Sequence, residues 1–190
     1  EGGIKLNAFN GKIGGTISYY DIKVKDILRN DPDHANFSIQ NGTQLSKGIE
    51  ADITANPFPG FNIVGGYAHN KSEYTNADDD VNGLRPNSSG PENMANFWVS
   101  YHFMQGCIKG LGFGFGGNYE GKSLVVSSKS QGQFYVPEYT VLNATLFYET
   151  KKLRLGASVN NLTDKKYWIG WYTVNPQQPR SINGSIAFKF

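Results

Sequence analysis

The chain has 190 residues, and its 18 Lys and Arg against 16 Asp and Glu give a formal net charge of +2. This near balance lacks the basic excess of a nucleic-acid-binding protein, so we expect no nucleic-acid partner. A single cysteine, Cys107, excludes an internal disulfide framework and a zinc site of paired cysteines.

The composition leaves one membrane architecture open. No apolar run approaches the roughly 20 residues of a membrane-spanning helix, but a transmembrane β-barrel carries its apolar residues at alternate positions, flanked by aromatic girdles. Here aromatic residues make up 14% of the chain. The chain starts at Glu1 without an initiator Met or a signal sequence, so we expect it to begin inside a longer protein.

Alternation of apolar and polar residues is the dominant pattern along the chain and predicts an all-β protein. The last strand is the clearest, because Ile182, Ile186, Phe188 and Phe190 share one face while polar residues occupy the other. We predict about nine strands, in chain order at 4–8, 13–24, a segment ending before Asn56, 61–74, 96–103, 111–126, 139–148, 153–161 and 182–190.

Short and long connections alternate between these strands. The short ones are predicted at 10–11, 56–60, 105–110 and 149–152, and the long polar ones at 26–36, 75–92, 127–136 and 170–179. Outer-membrane barrels have tight turns on the periplasmic side and long loops outside. Because nine strands that alternate in direction cannot close antiparallel, we predict an antiparallel transmembrane β-barrel of which this chain is one part.

Four segments, in order along almost the whole chain, carry a family resemblance. They are 46–52 with its continuation through a proline-containing turn into 61–68, then 137–144, then 155–167 with Asn160-Asn161-Leu162-Thr163-Asp164, and finally Pro179-Arg180 leading into a strand that ends in Phe190. Together they resemble the C-terminal end of the TonB-dependent outer-membrane receptors, most closely the ferric-siderophore group. The family often has Phe where this chain has Thr163.

The resemblance implies a 22-stranded barrel, with residues 1–190 as its C-terminal part of about nine strands and the N-terminal plug and TonB box outside this chain. It implies active import of a ferric siderophore across the outer membrane of a Gram-negative bacterium, energised by the TonB complex through the plug. Outer-membrane lipid and the barrel-assembly machinery are further implied partners, and no cofactor is implied. Cobalamin and oligosaccharides are alternative cargoes within the family. An alternative of another class is a small self-contained β-barrel that serves as an adhesin or a lipid-binding protein.

Long loops on a rigid scaffold are the expected place for ligand contacts. Aromatic side chains stack on aromatic chelators, and arginine binds anionic ones. The candidates in or beside the long loops are Arg85, Tyr135, Trp168, Trp171, Tyr172 and Arg180.

Aromatic residues near strand ends favour two interfacial girdles. The predicted members are Tyr19, Trp98, Tyr101, Tyr119, Tyr148, Tyr167 and Trp168. In the family that the chain resembles, the alternation of Ile182, Ile186, Phe188 and Phe190 looks like the terminal signal that the assembly machinery reads.

The remaining motifs favour no catalytic or metal site. Gly112, Gly114 and Gly117 fit the spacing of a dinucleotide motif, but phenylalanines alternate with them and no helical pattern follows, so we predict a strand with one glycine face. The acidic run 78–80 lacks the alternation of a calcium loop, which favours a solvated loop. The three histidines are scattered, and no nucleophile elbow is present, so we predict neither a metal site nor an enzyme.

Overall fold

A computed structural model describes residues 1–31, 33–171 and 173–189. The strands of these residues are β1 (Gly2–Ala8), β2 (Ile13–Asn30), β3 (Ser38–Ala55), β4 (Phe61–Asn76), β5 (Asn93–His102), β6 (Leu111–Glu120), β7 (Ser123–Ser128), β8 (Gly132–Val136), β9 (Tyr139–Glu149), β10 (Leu153–Asn160), β11 (Trp168–Trp171), β12 (Thr173–Pro176) and β13 (Ser181–Phe188). A single 3-10 turn lies at Asn87–Ser89 within the described residues. In the same part of the chain, no helix is long and apolar enough to cross a membrane.

The described residues form four strands more than the predicted nine, and these four lie in two short hairpins, while the other nine form one antiparallel sheet. Its order is β1-β2-β3-β4-β5-β6-β9-β10-β13, so each strand lies beside the next member of the sheet in chain order. The hairpins β7-β8 and β11-β12 form separate two-stranded sheets inserted into two of the long connections.

Two predicted boundaries are wrong. The segment 111–126 is not one strand, because β6 ends at Glu120 after its last pairing with Tyr139, and Ser123 begins a hairpin that pairs with Val136. The predicted loop 127–136 is therefore the larger part of a hairpin that spans residues 123–136. The second strand also runs past Val24 to Asn30, across an irregularity where Asp26 has a φ of 59°.

The length of β2 and β3 carries them beyond the apolar band of a membrane barrel. Each strand has 18 residues, which at about 3.3 Å per residue is roughly 60 Å of strand. The outward apolar band of a membrane barrel is only about 25 Å tall, and strand tilt accounts for a minority of the difference. The β2-β3 hairpin therefore projects from the end of the sheet where the long connections lie.

The two faces of the sheet differ in chemistry. One row across the first four strands consists of Ile4, Ile17, Ala51 and Tyr67, whereas the neighbouring row, on the opposite face, consists of Lys5, Thr16, Asp52 and Gly66. We call these the apolar face and the polar face. Large side chains of the apolar face are exposed, with Ile4 at 77% and Ile182 at 75%. Such a surface requires apolar surroundings, as the lipid-facing side of a barrel has.

The polar face of β6 is glycine, as the sequence predicts, because aromatic rings from neighbouring strands occupy the space. A Cβ on Gly114 would lie 2.5 Å from the Trp98 ring, and one on Gly112 would collide with the Phe147 ring. The chain continues from this glycine run as a strand, so the dinucleotide interpretation has no support. Trp98 itself lies on the polar face, and its assignment to a girdle is wrong.

Buried hydrophobic side chains of the described residues occur both in the inserted β7-β8 hairpin and in the sheet, where they are Ala55, Tyr139 and Val141. Leu124, Val125 and Val136 are each no more than 3% exposed, and Leu124 and Pro86 are the largest fully buried side chains among the described residues. The sheet buries few large side chains because no second layer of the described residues packs against either of its faces. The small core at the long-connection end holds the loops in place.

Candidate functional site: the outer loop cluster

Three long connections meet at one end of the sheet, and we call residues 77–92, 121–138 and 161–180 the outer loop cluster. The 3-10 turn at Asn87–Ser89 contacts β7, and β11 contacts both β7 and β8. The β7-β8 hairpin thus sits between the other two connections. By the asymmetry of membrane barrels, this end is the extracellular one.

Arg85 organises the first of these loops. Its guanidinium donates to the carbonyl of Asn70 at 2.9 Å, to Asn70 Oδ1 at 3.0 Å and to the carbonyls of Gly90 at 3.1 Å, Ser89 at 3.4 Å and Pro91 at 3.3 Å. Burial lowers the pKa of this group from its ordinary value, although an arginine keeps its charge in proteins. Arg85 was predicted to contact a ligand, but most of its N–H donors already make hydrogen bonds within its own loop and to Asn70.

A polar ladder on the polar face continues from Arg85 into the sheet. Asn70 Nδ2 donates to the Tyr20 hydroxyl and to Ser46 Oγ, each at 2.8 Å. Ser72, which is 5% exposed, donates to Ser46 and to Asn70 Oδ1. The ladder couples the position of the 77–92 loop to the outer ends of β2, β3 and β4.

The acidic run 78–80 ties connections together instead of lying free in solvent. Asp80 accepts hydrogen bonds from Ser128 Oγ and from the Ser130 amide, both at 2.7 Å, and these bonds lower the pKa of its carboxyl. Asp78 accepts from the amide and the side chain of Asn30 at 3.0 and 2.8 Å. Asp78 and Asp80 therefore clamp connections together, a role that the prediction of a solvated loop missed.

A cavity of about 430 Å³ lies within the cluster and brings two predicted residues together. Arg85 and Tyr135 both line it. Its other charged and phenolic lining residues are Glu92, Tyr119, Lys122 and Glu138. The Tyr119 hydroxyl donates to Glu138 at 3.0 Å, whereas the Tyr135 hydroxyl donates to Gln133 at 3.1 Å.

The cavity therefore combines phenol rings with charges of both signs, which suits a polar ligand rather than an apolar one. Sequence reasoning missed Glu92, Tyr119, Lys122 and Glu138. Glu92 and Glu138 lie shortly before predicted strands, at the end that faces a long connection, which is a positional signal. Tyr119 and Lys122 lie inside the predicted strand 111–126 and have no such signal. No group of three or more His, Cys, Asp and Glu side chains that could hold a metal ion occurs among the described residues.

Trp168 and Arg180 are also predicted ligand residues, but they belong to the last connection and are not among the described residues that line this cavity. Trp168 begins β11 and is 42% exposed. Arg180 is exposed, its amide donates to Asp164 at 2.9 Å, and its guanidinium makes one long contact of 3.5 Å with the carbonyl of Leu162. Tyr172 and the side chain of Trp171 lie outside the described part of the structure.

The motif Asn160-Asn161-Leu162-Thr163-Asp164 shapes the base of this last connection. Asn161 is 3% exposed, has a φ of 53°, and its side chain binds the amide and the carbonyl of Lys165 and the carbonyl of Gln178. Asp164 fixes the Arg180 backbone just before β13. These two side chains set where the last strand begins.

The last strand confirms its predicted alternation over the described residues. Ile182 pairs with Val159, Ile186 with Leu155 and Phe188 with Leu153, all on the apolar face. At the end of the strand near the short turn, the Glu149 carboxylate accepts a hydrogen bond from Lys189 and lies 3.5 Å from the Arg154 guanidinium. Phe190 lies outside the described residues, and recognition of this strand by the assembly machinery remains a prediction.

Comparison with known proteins identifies the family. A model of the β-barrel of TonB-dependent receptor-like proteins matches residues 1–162. The chain belongs to this family of TonB-dependent receptors. The resemblance seen in the sequence is thereby confirmed.

Individual relatives are receptors for iron and metal chelates. The chain is 32% identical over 172 residues to the ferrichrome outer membrane transporter and phage receptor of Escherichia coli, covering 88% of this chain and 22% of the relative. It is 27% identical over 194 residues to a metal-pseudopaline receptor of Pseudomonas aeruginosa, covering 100% of this chain and 27% of the relative. The chain thus spans about a quarter of the length of the relatives it matches.

Solved structures agree with the fold. The ferripyoverdine receptor of the outer membrane of Pseudomonas aeruginosa, bound to ferripyoverdine, superposes with a TM-score of 0.79 at 25% identity, over 97% of this chain and 26% of that one. The ferric preacinetobactin receptor from Acinetobacter baumannii has a TM-score of 0.81 at 22% identity, over 99% of this chain and 28% of that one. The chain is accordingly an outer-membrane β-barrel protein of a Gram-negative bacterium.

Proposed function

We propose that residues 1–190 form the C-terminal part of a 22-stranded receptor barrel and that the intact receptor imports a ferric siderophore with energy from TonB. The nine-stranded sheet supports the first part, because β1 and β13 each have one neighbour and would close only against further strands. A plug outside this chain would receive the energy. The barrel part supplies wall and outer loops and carries out no catalysis.

The proposed cargo is supported mainly by the sequence similarity of the chain to receptors named for ferrichrome and ferripyoverdine. The outer loop cluster fits that role, since its cavity offers phenol rings and both signs of charge at the extracellular end. A metal chelate other than a ferric one is a second candidate, favoured by the similarity to the metal-pseudopaline receptor along the whole chain.

Uptake by the full-length receptor tests the proposal. Cells without other siderophore receptors would express the receptor and be given a panel of iron-55 siderophores and of zinc and nickel chelates. We expect one chelate to accumulate, accumulation to need TonB, and replacement of residues 124–135 by a Gly-Ser linker to abolish it. The matched control replaces residues 104–108 at the turn end in the same way and keeps uptake.

Two results would contradict the proposal. Equal uptake with and without TonB would exclude an energised receptor. Unchanged uptake and unchanged chelate binding after replacement of residues 124–135 would exclude the outer loop cluster as the place of recognition.

A further inference from the structure

The polar face of β2, β3 and β4 has an uncharged surface where these strands reach the extracellular end. Strand register places three neighbouring rows on this face, and their members are Tyr20, Gly48 and Asn70, then Ile22, Ser46 and Ser72, and finally Val24, Gln44 and Tyr74. We call these rows the uncharged wall, because none of their residues is Asp, Glu, Lys, Arg or His. At about 3.3 Å per residue and 4.8 Å between strands, the wall measures roughly 13 by 10 Å.

The charged residues of the same segments all lie on the opposite face. In residues 20–25, 43–48 and 70–74 they are Asp21, Lys23, Lys25, Lys47, Lys71 and Glu73. Since side chains alternate between the two faces along a strand, the register keeps all of these charges outside the barrel mouth. The nearest charged row deeper on the polar face holds Glu50, between Ser18 and Ala68, and a carboxylate there repels anions.

The wall offers apolar contact beside neutral hydrogen-bonding groups. Ile22 is 50% exposed and Val24 is 46% exposed, and both lie on the side of the sheet that is otherwise polar. Beside them, the amide of Asn70 and the hydroxyls of Ser46 and Ser72 make hydrogen bonds to one another. A surface of this kind suits a ligand whose exterior is uncharged and partly apolar.

The charges next to the wall are balanced in sign. Arg85 borders the wall through its hydrogen bond to Asn70 Oδ1 at 3.0 Å, and its other donors are directed at backbone carbonyls. In the cavity that Arg85 also lines, the cations Arg85 and Lys122 face the carboxylates Glu92 and Glu138. These residues therefore provide no excess of positive charge to hold an anionic ligand.

Two kinds of ferric chelate differ in the property that such a surface discriminates. Ferric iron bound by three hydroxamate groups has no net charge, because each hydroxamate carries one negative charge, whereas iron bound by three catecholates is a trianion. A trianion that leaves water for an uncharged surface loses hydration without gaining charge-assisted hydrogen bonds. A neutral chelate loses less hydration and gains apolar contact with Ile22 and Val24.

We propose that the uncharged wall selects ferric chelates without net charge, of the hydroxamate type, over tricatecholate chelates. The inference rests on the proposed function of a siderophore receptor and narrows its cargo by charge. Ile22 and Val24 are the specificity-determining residues, because they are exposed on the polar face at positions where lysine would supply the missing positive charge.

Binding of iron-55 chelates to the purified full-length receptor tests the selectivity. The probes are a panel of neutral ferric trihydroxamates that includes ferrichrome, the tricatecholate ferric enterobactin, and a synthetic pair of chelates that share one scaffold and differ only in these groups. We expect at least one neutral chelate to bind about 100-fold more tightly than either tricatecholate. Equal or tighter binding of a tricatecholate, or no binding of any neutral probe, would overturn the proposal.

Double variants test the wall itself. I22K/V24K adds two positive charges to the wall and should weaken binding of the preferred neutral chelate about tenfold while strengthening binding of ferric enterobactin by a similar factor. T43K/L45K is the matched control, because it adds the same charges at the same height on the opposite face, and it should leave both affinities unchanged. Equal effects of these two variants would overturn the assignment to the wall.

A third variant separates charge from faulty assembly. I22T/V24T keeps the wall uncharged, so it should keep the preference for the neutral chelate even though apolar contact is lost. Loss of that preference in I22T/V24T would overturn the proposal.

Uptake into cells separates a failure of this inference from a failure of the proposed function. TonB-dependent accumulation of a tricatecholate would keep the receptor function and overturn the selection of neutral chelates. Selective binding of a neutral chelate without TonB-dependent uptake would support the wall and contradict the proposed import.

Discussion

At the scale of single residues, the outer loop cluster depends on side chains that bind backbone groups. Arg85 is the strongest case, because it crosslinks the carbonyls of residues 70 and 89–91. We expect R85A to lower the local stability of the 84–92 segment by about 2 kcal/mol, since hydrogen bonds from a charged donor are lost, and amide exchange there to accelerate roughly 30-fold.

Hydrogen exchange of the full-length receptor measures this effect. R180A is the matched control, because the Arg180 guanidinium makes a single hydrogen bond to the described residues, at 3.5 Å. We expect exchange near Leu162 to change by less than threefold. Unchanged exchange in R85A would show that the loop holds its shape without the guanidinium.

Asp80 should make the loop contact sensitive to acid. Hydrogen bonds from Ser128 and Ser130 lower the pKa of its carboxyl below 3.8, so the ionised form is favoured by folding. The contribution is fully present above pH 3.8 and is lost as the pH falls through the lowered value. Spin labels at Ser88 and Gln131 should therefore give a narrow distance distribution at pH 7 and a broader one near pH 2.

The neighbouring aspartate supplies the control for that measurement. D80N should broaden the distribution at pH 7 and remove most of its dependence on pH. D79N should behave like the unmodified receptor, since the Asp79 side chain makes no hydrogen bond to a described residue. Equal behaviour of the two variants would contradict the assignment of the clamp to Asp80.

At the scale of the strand, the glycine face of β6 is a packing requirement. A Cβ on Gly114 would lie 2.5 Å from Trp98 and 3.0 Å from Thr145. We expect G114V to destabilise the barrel by about 1–3 kcal/mol, as overpacking does. G184V is the matched control, because a Cβ there meets nothing within 4 Å and adds apolar surface to the apolar face. Urea midpoints of the folded receptor would report the difference, and an equal midpoint for both variants would contradict it.

Several elements could be predicted from the sequence, because each strand of a barrel wall has lipid on one side and the barrel interior on the other. Apolar and polar residues therefore alternate along it with period two. The sheet and the terminal alternation follow from that period. The β7-β8 hairpin could not be predicted, since the apolar run at 124–126 continues the pattern of β6 and only tertiary contacts, such as those of β7 with the 3-10 turn at Asn87–Ser89, separate it. The orientation of Trp98 could be predicted, because Phe97 and Val99 on either side of it face the apolar side and the strand alternates. The girdle assignment followed the residue type instead of this alternation.

The site was less predictable than the fold. Arg85 and Tyr135 stand out as large functional side chains on loops, and the structure places both at the cavity. Nothing local to Arg85 indicates that its partners are carbonyls of residues 70 and 89–91, because those groups meet it only when the loop folds back over β4.

At the scale of the whole molecule, the chain has two open sheet edges and one face that needs lipid. We expect residues 1–190 alone to aggregate in buffer and to remain dispersed with β-structure only in detergent micelles. Sedimentation and circular dichroism with and without detergent measure this directly. A cooperative, monodisperse β-fold in buffer would instead favour the self-contained small barrel.

The central claim is that the apolar face lies in the lipid of the outer membrane and the polar face lines the interior of a receptor barrel. Spin labels placed one at a time at residues 95–101 of β5, in the full-length receptor in liposomes, test it most directly. We predict that oxygen, which partitions into lipid, reaches labels at 95, 97, 99 and 101, and that a water-soluble nickel complex reaches those at 96, 98 and 100. Uniform accessibility along the strand, or alternation with the opposite phase, would contradict the account.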